Sequence, residues 1–119
     1  MTYDYYNSLV KEAINLGCNA DRLLAEIGYP SNIKLDADAF VKAVGIIVAA
    51  ATNDIRRMAE LGGLSVRSLA LKTNIPYRTM QNWCNSESAS GRKPPEYLPI
   101  LLGFILISEL PKEDDNGNI

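Results

Sequence analysis

The chain has 119 residues, with 12 Lys+Arg against 14 Asp+Glu for a net charge of -2, no histidine, two cysteines and 47% hydrophobic residues. The length fits one compact domain with a real core, and the apolar content argues against general disorder. Without histidine a Ser-His or Cys-His nucleophile pair is impossible within the chain, two isolated cysteines argue against structural zinc, and the slightly acidic total gives no hint of a nucleic-acid partner.

Strand signals are scarce and helical periodicity recurs, so an all-α fold is expected. Tyr6, Leu9, Val10, Ala13, Ile14 and Leu16 form one apolar stripe, with Gly17 as its stop. Asn19 can cap a short helix through Leu23, Leu24 and Ile27, closed by Gly28 and Pro30. Residues 31–35 read as a loop. Asp36 or Asp38 then caps a long pattern through Phe40, Val44, Ile47, Ala51, Ile55 and Met58. Ile46 and Val48 widen that stripe, which suits a central helix or an oligomer interface. Thr52, Asn53 and Asp54 are three good capping residues in its midst, so the pattern is one long helix or two abutting ones. Gly62 and Gly63 end it. Residues 111–119 read as a disordered acidic tail.

The nearly unbroken apolar runs at 43–51 and 98–107 are well short of the roughly 18–20 residues of a membrane span, and the N-terminus carries no secretory pattern. The expectation is a cytoplasmic protein with reduced thiols and no membrane association.

Residues 65–84 read SVRSLALKTNIPYRTMQNWC. Ser65 is a good N-cap, and Leu69, Ala70 and Thr73 mark a short helix. Asn74 can take the left-handed conformation of a tight turn, Ile75 is held extended by the following proline, and Pro76 suits a helix start. Met80 and Trp83 form the buried stripe of a second short helix. A small residue at the crossing, a left-handed turn residue, an apolar plug and a three-residue inward step are the parts of a helix-turn-helix.

These residues, with Ile55-Arg56-Arg57-Met58 before them and Arg92-Lys93-Pro94-Pro95 after, resemble the Cro/C1-type (XRE-family) helix-turn-helix of phage repressors and bacterial regulators. The resemblance covers residues 52–110. It implies a lambda-repressor-like five-helix domain there, with residues 1–51 as a helical N-terminal extension that could supply a dimer or partner surface. It also implies that residues 77–84 form the recognition helix in the DNA major groove. Tyr77, Arg78, Gln81 and Asn82 are then the base-contact candidates, since Arg suits guanine and Gln or Asn suits adenine. Ser65 and Val66 offer backbone N–H groups to a phosphate, and Arg67, Lys72, Arg92 and Lys93 offer cations.

The chain departs from the family pattern at three places. Asn74 stands where the family usually has Gly. Ala59 and Cys84 stand where many members have a buried Arg–Glu pair, so both partners are gone together. The loop at 85–91 is longer than usual and carries Glu87.

The expected function is a sequence-specific, DNA-binding transcriptional regulator of prophage or mobile-element type, acting by operator occupancy as a homodimer on double-stranded DNA. The alternative is a protein-interaction module on the same fold, such as an antitoxin or a small phage inhibitor of a host defence enzyme. No enzyme, cofactor or metal site is expected. The charge is polarised to match: residues 64–95 hold Arg67, Lys72, Arg78, Arg92 and Lys93 against Glu87 alone, a net of +4, which leaves -6 for the remainder.

Overall fold

The computed structural model describes residues 1–28, 35–84 and 94–110. They form seven helices and no extended strand: α1 (Tyr3–Asn15), α2 (Ala20–Ile27), α3 (Ala37–Ala51), α4 (Ile55–Leu61), α5 (Val66–Thr73), α6 (Tyr77–Cys84) and α7 (Tyr97–Ser108). The expected tail at 111–119 lies outside the described residues.

Capping chemistry sets the element boundaries. Thr2, Asn19, Asp36, Asp54 and Ser65 each accept a hydrogen bond from the backbone N–H three residues on, which satisfies an otherwise unpaired donor of the first turn. The long periodic pattern after Asp36 is two helices. Thr52 Oγ1 donates back to the Val48 and Ala49 carbonyls, Asn53 turns left-handed at φ 62°, and Asp54 Oδ1 accepts from Arg57 N at 3.0 Å to start α4. The three capping residues between Ala51 and Ile55 thus outweigh the continuing apolar period.

α3 is the central helix. It packs against α1, α2, α4 and α7, and it buries Phe40, Ala43, Val44, Ile46, Ile47, Ala49 and Ala50. Being enclosed on several sides is what its apolar width anticipated. Each fully buried large side chain, such as Phe40, Ile46 or Ile47, contributes roughly 1.5–3 kcal/mol of burial. The core is continuous from Tyr6 and Leu9 on α1 to Leu69 on α5 and Met80 on α6, so residues before and after position 51 share it.

α7 closes the core by packing on both α3 and α1. Tyr6 on α1 is fully buried, donates its hydroxyl to the Ile100 carbonyl at 2.6 Å, and packs with Tyr3 and Phe104 at ring separations of 5.9 and 5.4 Å. Gly103 makes this close approach possible. A Cβ there would run into the Tyr6 hydroxyl and come within 3.3 Å of the Ala50 Cβ.

Two expectations need correction. Ile14 does not complete the α1 stripe: it is 55% exposed, because α1 offers α3 and α7 only the face of Tyr6, Leu9, Val10 and Ala13. Trp83 is half-buried against the core rather than enclosed by it, with Met80 alone of α6 fully buried. Within residues 52–110 the described residues form four helices, α4 to α7, against the five that the resemblance implies.

Candidate nucleic-acid interface

α5 and α6 pack on each other and reach the rest of the fold through α4. Their geometry follows from the turn between them. Asn74 takes φ 59° and ψ 27°, and its N–H and that of Ile75 bond to the Leu71 and Ala70 carbonyls, which closes α5 and reverses the chain. Ile75 then packs half-buried against the core, and α6 begins directly after Pro76. Leu69, Ala70 and Met80 are buried where the helices meet.

This arrangement leaves one polar surface across the two helix starts. Arg67 and Arg78 are exposed, Gln81 is exposed, and Tyr77 and Asn82 are half-buried. The Arg67 guanidinium lies over the Tyr77 ring at 4.2 Å from its centroid, and Gln81 Nε2 donates to the Tyr77 hydroxyl at 3.1 Å. Of the four base-contact candidates, the structure therefore brings Tyr77 and Gln81 into one array with Arg67. Arg78 stands beside it without a hydrogen bond or ion pair among the described residues.

At the start of α5, Ser65 Oγ accepts from Ser68 N and also meets Ser68 Oγ, both at 3.0 Å, and Val66 is half-buried. Lys72 lies at the other end of α5, where its ammonium pairs with the Glu109 carboxylate just past α7. Arg92, Lys93 and the loop with Glu87 lie outside the described residues.

The formal charges carried by α5 and α6 are all positive. No Asp or Glu occurs between Glu60 and Glu87, so α5 and α6 present Arg67, Lys72 and Arg78 without an acid of their own. α6 follows Pro76, which has no side-chain acceptor to occupy its first-turn N–H groups. Ala59 is buried, and Cys84 is half-buried with its thiol pKa raised by burial, an effect the Asp54 charge adds to and the Arg56 charge opposes.

The sequence reading passed over two features. One is the stacking of Arg67 on Tyr77, which needs the turn angle before it can be seen. The other is the exposed row of Tyr97 (64%), Leu101 (42%) and Ile105 (37%) on α7. Its four-residue spacing was legible, but an apolar helix reads as buried throughout. Among the described residues no group of acids and thiols is placed to hold a metal, and no helix is long and apolar enough to cross a membrane. No protein-family model, curated protein or solved structure matches this chain.

Proposed function

We propose that this protein is a sequence-specific DNA-binding regulator that inserts the start of α6 into the major groove and acts by occupying its operator. What supports this is the left-handed Asn74 turn. It sets two eight-residue helices against each other so that Leu69, Ala70 and Met80 are buried, while Arg67, Tyr77 and Gln81 form one outward array beside Arg78 on helices that carry no acid. Arg78 and Gln81 are the base-reading groups, for guanine and adenine respectively. Arg67 and the N–H groups at the start of α5 hold phosphates.

A second copy of the chain belongs to this proposal. With Lys72 held by Glu109, two free cations on α5 and α6 give one copy a slope of only about -2 in log affinity against log salt, and a two-fold pair on adjacent half-sites doubles it. The exposed row on α7 suits such a contact. No charged residue falls between Glu96 and Glu109, so two copies meet there without burying a charge. The row amounts to a few hundred Å², below the roughly 800 Å² per partner of a standard interface, so the pair is weak in solution and completed on DNA.

Selection from a random duplex library, followed by gel shifts across a salt series, tests the proposal. The expected result is a pseudo-palindromic site and a salt slope of about -4. Arg78→Ala should lower discrimination at one base position by about 1–3 kcal/mol. Recovery of no preferred sequence, with a flat salt dependence, would overturn it in favour of a protein-binding role.

A further inference from the structure

We infer that Tyr77 is a positioning residue that orients Gln81 for reading one adenine, and that Arg67 locks Tyr77 in place while it grips the neighbouring phosphate. This rests on the DNA-binding proposal above and deepens it. The chain of contacts runs Arg67, Tyr77, Gln81. The Tyr77 ring is held on one side by the core and on the other by the Arg67 guanidinium at 4.2 Å. A ring pinned on two sides has a fixed hydroxyl. That hydroxyl takes one N–H of the Gln81 carboxamide at 3.1 Å. Gln81 is otherwise exposed, on an outward face, and a free glutamine there would sample several rotamers and both amide orientations.

The donor inventory makes the arrangement specific. A carboxamide has two N–H donors and one carbonyl oxygen. With one N–H committed to Tyr77, the carbonyl and the second N–H remain, and these are the two groups that a bidentate grip on adenine N6 and N7 requires. Because the hydroxyl can donate as well as accept, Tyr77 fixes the place of the carboxamide, and the adenine edge selects the sense that turns the carbonyl to N6 and the second N–H to N7. Stacking engages the face of the Arg67 guanidinium and leaves its N–H edge open to phosphate. Backbone contact at the start of α5 and base reading on α6 are so joined through a single aromatic ring.

The test is library selection and competition binding with the full chain and the variants Tyr77→Phe, Gln81→Ala and Tyr77→Phe/Gln81→Ala, each checked for an unchanged melting profile. The wild-type chain should select adenine at one position per half-site. Tyr77→Phe keeps the ring and its stacking, so it should retain the salt slope and the preferences at all other positions. At the adenine position it should lose about tenfold in preference. The double variant should be no worse there than Gln81→Ala alone, because Tyr77 acts through Gln81. Full retention of the adenine preference in Tyr77→Phe would overturn the inference and leave the DNA-binding proposal standing. So would a loss at a different base position, which would make Tyr77 a base contact in its own right. Absence of any selected sequence in the wild-type chain would overturn both.

Discussion

The ammonium of Lys72 at the end of α5 pairs with the carboxylate of Glu109 at the end of α7. The pair ties α5 to the helix that closes the core. It also places an acid beside one of the three cations on α5 and α6. Both side chains are substantially exposed, so the pair adds less than about 1 kcal/mol to stability. Under the proposed DNA-binding function, its larger effect is on binding. Glu109→Gln should raise DNA affinity a few-fold and steepen the salt dependence by about one ion per copy, because Lys72 is released to a phosphate. Gel shifts at four salt concentrations measure this, and an unchanged slope would take Lys72 out of the interface.

Asn74 has a backbone conformation that ordinary side chains resist. Asn74→Gly should leave stability within a few tenths of a kcal/mol, whereas Asn74→Ala should cost about 1 kcal/mol through left-handed strain. Urea unfolding of the two variants separates them. Equal stabilities would mean that the turn relaxes to another form in solution.

The turn was legible in the sequence because each of its parts is local. Ser65 caps, Asn74 turns, Pro76 restarts the helix, and Met80 points inward, all within one short stretch. Asn19, Asp36 and Asp54 were equally readable as caps. What was not legible depends on packing between distant segments. Ile14 fits the α1 period and still faces out, since no helix lies on that side of α1. Tyr77 looked like a free outward group, but Arg67 covers it across the turn. Lys72 looked free until α7 brought Glu109 to it. Periodicity tells which face of a helix is apolar, and it does not tell how much of that face finds a partner.

The approach of α7 to α1 is set by Gly103 and the Tyr6 hydroxyl. Gly103→Ala should destabilise the fold by about 1–3 kcal/mol, as overpacked cores do. Tyr6→Phe should cost about 1 kcal/mol for the lost hydrogen bond. The double variant should lose less than the sum of the two, because removing the hydroxyl makes room for the new methyl. A purely additive result in a double-mutant cycle would show that the two side chains do not meet.

Burial sets the alkaline limit. Tyr6 is held above its ordinary pKa of 10.0, first by burial and then by Tyr3, and the Cys84 thiol is held above its ordinary 9.0, chiefly by burial. Both folded-state values are raised, so their contribution is fully present below the unfolded values. It is lost as pH rises and only the unfolded chain can ionise freely. With no histidine, the melting temperature should be flat between about pH 6 and 8 and should fall above about pH 9–10. Tyr6→Phe should shift that fall to higher pH. A fall that begins near neutrality would contradict this assignment.

Leu101 lies in the middle of the exposed row on α7. Leu101→Glu should leave the fold within about 0.5 kcal/mol of the parent, since that surface is in water in the single chain. It should turn a two-copy complex on a palindromic duplex into one-copy binding at higher protein concentration. Analytical ultracentrifugation of the protein–DNA mixture reports the stoichiometry directly, and two copies retained on the duplex would place the contact elsewhere.

α5 and α6 stand on α4, and α4 in turn is packed against α3 and α7. That footing bears on portability. Residues 65–84 do not make a cassette that can be cut out and grafted, because the helix that orients them is itself seated in the central core, where Ile55, Met58 and Ala59 are buried. A chimera that seeks to carry the proposed base preference to another scaffold must bring α3, α4 and α7 with it, which leaves out only α1 and α2. Changes of specificity are then to be sought by substitution in place, at Arg78, Gln81 and Tyr77, rather than by exchange of parts.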